Sequence, residues 1–189
     1  METTFLSIAI GLGLAAACGF RIFVPLLIIS LAGRGGHLEL AESFQWMEST
    51  PALITFGSAT LVEVLAYYIP FLDNLLDSIA TPSSVVAGTV ATATQVSDLD
   101  PLLGWSVAII GGGGAAGAVQ GLTTITRGFS SMATAGFGNP LFSTFEAGAS
   151  VVMTLLAIVV PLVAAFGVLL LLFFAIKKIF FRTPTPDPA

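Results

Sequence analysis

Two ionised residues fall near the middle of long apolar runs: Arg21 within Phe5–Leu31 and Glu63 within Pro51–Phe71. An unpaired charge at the centre of a bilayer costs at least ~2.5–3.5 kcal/mol on insertion scales, so each needs a partner or water. Each is the other's obvious partner. Such a pair suits an ion or proton site or a gate; it suits equally a salt bridge that fixes the register of two helices. Arg127 and Glu146 form a second candidate pair, related to the first or gating it. Its claim is weaker. Ser143-x-x-Glu146 has the form of a capping box, which would put Glu146 in a helix's first turn, and Arg127 lies where headgroups would reach it.

The run Ile109–Arg127 carries four successive glycines, Gly111, Gly112, Gly113 and Gly114. They lack the lysine and serine or threonine of a phosphate-binding loop. Small residues let membrane helices pack backbone to backbone, so this run reads as a central helix with others wrapped around it. The other reading is an unwound stretch whose carbonyls face an ion. Asp73 and Asp77, with Asn74 between them, would suit either a cation or a solvated helix end. His37 is the only histidine and Cys18 the only cysteine, so no metal site, disulfide or nucleophile–histidine pair is expected. No cofactor and no catalytic residue is assigned; a membrane enzyme for lipids or isoprenoids is the weakest reading.

The elements that must hold these residues are membrane helices. The 189 residues are 56% hydrophobic and 9% charged, far below the ~25% charge of soluble domains. Net charge is −5, which argues against nucleic acid as a partner. The start carries Glu2 and no basic residue, unlike a secretory signal, and Cys18 reads as a small residue at a helix contact rather than a lipidated one. Phe5–Leu31 gives about 40 Å of helix, enough to cross with tilt, with a bend expected at Pro25. Gly33–Thr50 is a polar connection with Trp46 at the interface. Thr50-Pro51, Asp100-Pro101 and Asn139-Pro140 each read as a cap followed by proline. Thr81-Pro82 reads as a break, leaving Ser83–Val96 as a short crossing or re-entrant piece. Beyond Pro140 the pattern stays helical to Phe181, with a kink at Pro161 that lets the second part finish the crossing.

The fold expected is therefore an all-α integral membrane protein of about five segments, one short or re-entrant. Residues 1–182 form a single domain and 183–189 a disordered, proline-rich tail. Gly57–Pro70 lies over Gly148–Pro161 with matches at Gly57/Gly148, Leu65/Leu156, Ala66/Ala157 and Pro70/Pro161. This suggests two inverted repeats, 1–96 and 97–182, as in many transporters. Lys177, Lys178 and Arg182 put the C-terminus in the cytoplasm. Five crossings then put the N-terminus outside and Arg34 inside.

The order of motifs is similar to one bacterial family. Gly19-Phe-Arg21-Ile-Phe-Val-Pro25-Leu-Leu is followed by Glu63, then Ile-Pro70-x-x-Asp73-x-x-x-Asp77. Thr-Pro82 before Val-Ala-Gly88, Thr-Arg127, Asn-Pro140 and Ser143-x-x-Glu146 complete the set. Together they resemble the membrane family known as domain of unknown function 4126, over nearly the whole chain. Tyr68 and Ile69 stand where a basic residue is expected before the Ile-Pro70 turn. The resemblance implies a multi-pass membrane protein of the bacterial inner membrane and supplies no activity.

The leading functional expectation is a channel or secondary transporter for an ion or small solute. The rival is a scaffold or assembly subunit with structural salt bridges. The bilayer and a second copy or another membrane protein are the expected partners.

Overall fold

The computed structural model describes residues 2–69, 72–96, 98–134 and 138–180. Its helices are α1 (Glu2–Phe20), α2 (Phe23–Arg34), α3 (Thr50–Ala66), α4 (Leu72–Ala93), α5 (Pro101–Ser106), α6 (Gly114–Thr134), α7 (Asn139–Val159) and α8 (Pro161–Phe180). A 3-10 helix, Glu42–Glu48, precedes α3, and a π-helical stretch, Val107–Gly113, joins α5 to α6. Among the described residues three helices are long and apolar enough to cross a membrane: Thr3–Phe20, Pro101–Thr134 and Asn139–Val159. The bent pair Glu42–Glu48 and Thr50–Ala66 makes a fourth if taken as one. Phe23–Arg34 and Pro161–Phe174 are shorter apolar helices.

The central helix is α1, not the glycine run of Ile109–Arg127. Leu14, Ala15, Ala16, Ala17 and Cys18 are buried on all sides, and α4, α6, α7 and α8 all pack on α1. Ile109 and Ile110, by contrast, are exposed on the outside. Small side chains set this order, since they let neighbours approach α1 closely. Thr92 Oγ1 on α4 donates to the Gly11 carbonyl at 3.0 Å. A side chain added at Gly13 would meet Ala157 and Ala164.

Cross-helix contacts fix the directions. Gly11 meets Thr92 and Ala15 lies near Gly88, so α4 runs antiparallel to α1. Gly111 lies by Leu12 and Val119 by Gly19, so the π-helical stretch and α6 run parallel to it. Ala157, Ser150 and Ser143 of α7 face Gly13, Ala17 and Arg21 in turn, which makes α7 antiparallel.

Two expectations about breaks are corrected. The first apolar run does not bend at Pro25; it breaks at Arg21–Ile22. A proline inside a helix clashes with the carbonyl four residues earlier, here that of Arg21. Pro25 instead occupies the first turn of α2, where its missing N–H costs nothing. The Ile22 start of α2 borders Ile79 and Ala80, and the segment after α2 reaches the far end of α4, where the Ala41 N–H donates to Thr94 O at 2.8 Å. So α2 runs with α4 and back along α1, and the two form a hairpin whose tip is Arg21–Ile22. Arg34 accordingly lies towards the N-terminal end of the bundle and not across it. The second correction concerns α8. Ala164 and Ala157 both face Gly13, and Val168 packs with Ala16 and Val119. Hence α8 turns back at Val160-Pro161 instead of completing the crossing.

Smaller departures follow from tertiary packing. Pro82 sits inside α4, so Ser83–Val96 is mostly the second half of a 22-residue helix. Ser49, not Thr50, caps α3 by accepting from the Ala52 N–H at 3.3 Å. Gly138 stands at the cap of α7, while Asn139 instead bonds Ser131 of α6 at 3.0 Å. Asp100 caps α5 as expected, accepting from Leu102 N–H at 3.0 Å. Pro70, Phe71 and the tail 183–189 lie outside the described residues.

The α4 crossing depends on glycine. A side chain at Gly112 would overlap Thr92 and lie 2.7 Å from the Gly88 carbonyl oxygen, whereas one at Gly114 meets nothing. Gly112→Val is expected to lower stability by about 1–3 kcal/mol through overpacking. Gly114→Ala is expected to raise it by up to ~1 kcal/mol. Unfolding by sodium dodecyl sulfate, followed by circular dichroism, measures both; wild-type stability in Gly112→Val would contradict the close crossing.

Candidate functional site

The hairpin tip places four functional groups in one region. The first N–H groups of a helix have no intrahelical acceptor. At the start of α2 those of Ile22 and Phe23 bond the two carboxylate oxygens of Glu63, Oε1 at 2.7 Å and Oε2 at 3.0 Å. Glu63 sits on α3 and is 8% exposed. A carboxylate at a helix N-terminus is favoured by the helix dipole, and a cation at a C-terminus likewise. Arg21 supplies that cation, since its N–H closes the last turn of α1 on Ala17 O at 3.2 Å.

Arg21 does not take Glu63 as its partner. Its Nη2 donates to Ser143 O at 2.9 Å and Ser143 Oγ at 2.7 Å, and lies 3.3 Å from Glu146 Oε2. Arg127 meets Glu146 with both ends of its fork: Nε to Oε1 at 3.0 Å, and Nη2 to Oε2. Glu146 thus bridges two guanidiniums. Both lean on the ring of Tyr67, with their central carbons 3.9 and 4.1 Å from its centroid. The four charges balance, and all are buried. Arg21, 1% exposed, keeps a buried Nε–H that has no acceptor.

Ser143 and Glu146 are not a capping box. The helix starts at Asn139, so both lie beyond its first turn and face α1. Tyr67 and Ser143 are the residues that charge-based reasoning leaves out. Tyr67 follows Glu63 by four and Ser143 precedes Glu146 by three, so helical spacing already puts each on the same face as its acid.

The glycine run packs helices. Gly111, Gly112 and Gly113 approach Leu12, Thr92 and Thr89 respectively, and Gly114 faces open space. His37 is exposed and Cys18 is fully buried. Among the described residues no cluster of acids, histidine and cysteine could hold a metal. The side chains of Asp73, Asn74, Asp77 and Lys178, and all of Arg182, lie outside the described residues.

A cavity of about 500 Å³ adjoins the tip, between α3 and α4, with Ile22, Phe23, Val62, Glu63, Tyr67 and Ile79 among its walls. A second, of about 480 Å³, continues along α2 past Leu26, Phe56, Trp46 and Val90 and shares Ile22, Phe23 and Ser83 with the first. The space exists because α3 packs on α2 and the 3-10 helix and leaves a gap to α4.

The chain belongs to the family described as Domain of unknown function (DUF4126), which it matches over residues 8–180. No curated protein and no solved structure matches it.

Removing one partner of a buried pair strands the other. Arg127→Met or Glu146→Leu alone is expected to cost about 3–5 kcal/mol, and the double change to recover much of that loss. Thermal unfolding of the three variants in one detergent tests the coupling; additive losses would show that Arg127 and Glu146 do not act as a pair.

Proposed function

We propose that this member of the family is a small channel or secondary transporter for an ion or small solute, with its solute site at the α1–α2 hairpin tip. One observation carries this reading: the N-terminus of α2, at the buried tip of the α1–α2 hairpin, presents the Ile22 and Phe23 amides to a carboxylate inside the bundle. Transporters use helix N-termini inside the bundle in this way, with the positive end towards anionic groups. The helix directions add support. The α1–α2 hairpin and the α7–α8 hairpin have their tips towards opposite ends of the bundle, as halves of inverted orientation would.

In this reading Glu63 is the mobile acid of the cycle, and Arg21, Arg127 and Glu146 hold the frame around it. The protein works in the bacterial inner membrane, with the Lys177 end in the cytoplasm and the Glu2 end opposite. The outward row Leu162, Phe166, Leu169 and Phe173 of α8 faces lipid or a second copy. The alternative is a scaffold whose charges only fix register, favoured by the mutual satisfaction of Arg127 and Glu146.

The deciding experiment is flux in proteoliposomes, screening protons, alkali cations, halides and small solutes beside a Glu63→Gln control. Flux in the wild type, lost in the control with insertion intact, is the expected result. A control that transports at the wild-type rate removes Glu63 from the cycle, and no flux of any species in folded protein favours the scaffold.

A further inference from the structure

We infer that the cavity beside the hairpin tip binds a membrane amphiphile with a single carboxylate head, of the long-chain fatty-acid class, whose head takes the place of Glu63 on the Ile22 and Phe23 amides. The inference rests on the transport reading of the same tip and names its substrate class.

The head is assigned by geometry. The two amides hold a carboxylate with one oxygen each, at 2.7 and 3.0 Å. The acceptor site is therefore already shaped for that group. With Glu63 moved aside, Arg21 and Arg127 face Glu146 alone, so the cluster is one negative charge short. An incoming carboxylate restores the balance.

The tail is assigned by the walls. Apart from Glu63 and a few hydroxyls, the cavity is lined by apolar side chains, and the second cavity adjoins it at Ile22, Phe23 and Ser83. Each volume falls in the range of ligand sites, about 300–1,000 Å³. A small hydrated anion would have to shed its water against these walls. An acyl chain gains by entering them. The gap between α3 and α4 is flanked by the outward-facing Leu61, Val62, Ile79 and Val86, so the chain enters sideways from the bilayer.

Trp46 lines the second cavity, and Trp105 is the other tryptophan. A Trp105→Phe protein therefore reports on Trp46 alone. The probes are 9,10-dibromostearate and the matching dibromo-alcohol, titrated into purified protein in detergent while Trp46 fluorescence is followed. The carboxylate is expected to quench at least tenfold lower in concentration than the alcohol and to be displaced by oleate. Glu63→Gln, which removes the competing charge, is expected to lower the carboxylate midpoint several-fold. Ser83→Phe, which fills the junction of the cavities without touching the tip, is expected to abolish the difference between acid and alcohol. Equal quenching by both probes, or a Ser83→Phe protein that still prefers the acid, overturns the inference. Carboxylate binding without flux upholds this site and removes the transport reading; flux of small ions with no carboxylate preference does the reverse.

Discussion

A helix that begins at a buried hairpin tip has amide donors that need acceptors, and the structure is arranged around that constraint. Each unsatisfied backbone group in hydrocarbon costs several kcal/mol. Pro25 forces the break at Arg21, and the break exposes the Ile22 and Phe23 N–H groups. Glu63 answers them from α3. Once Glu63 is fixed, Tyr67 is fixed one turn further along the same face. Its ring then becomes the surface on which Arg21 and Arg127 rest. Both cations lie over the ring, and Glu146 balances both by accepting from Arg127 and lying 3.3 Å from Arg21.

Such a tip can be buried only if the helix leading to it lies at the centre of the bundle. The small side chains of α1 make that possible. Gly11 and Gly19 admit Thr92 and Val119 at distances no larger residue would allow, and Ala15 lies against Gly88. Polar groups then tie these close crossings: Thr92 bonds Gly11 O, and Ser150 bonds Ala17 O at 3.0 Å. The second bond spans α1 and α7 one turn before Arg21 meets Ser143, so the same helix pair carries both the packing and the site.

The sequence makes some of this legible and hides the rest for physical reasons. Arg21 and Glu63 stand out because a charge in an apolar run demands an explanation. Their partners do not stand out, because pairing depends on which way each helix runs. The α1–α2 hairpin puts Glu63 against backbone donors that no side-chain inventory contains. Arg127 and Glu146 do meet, though through α7 facing α1 and not through a helix cap. Pro25 and Pro161 mark real breaks, but whether a break bends a helix or folds it back is decided by what it packs on. Pro82 marks none: it sits inside the continuous helix Leu72–Ala93. The glycines of 111–113 lie close to Leu12, Thr92 and Thr89; that α1 and not their own helix is central depends on Leu14 to Cys18, an unremarkable apolar stretch until its neighbours are known.

The two buried acids are not equivalent, and their difference locates any function the cluster has. Glu146 accepts from a bidentate arginine and lies within ion-pair distance of a second. Moving it would strand two guanidiniums. Among the described residues Glu63 accepts from the two backbone amides, and it forms part of a cavity wall. It has space beside it, and its departure leaves behind a pair of oriented donors and a cluster one negative charge short. Of the four charged groups it is the one whose movement the structure accommodates at least cost. The rest of the cluster supplies the fixed positive surroundings that give such a movement a consequence.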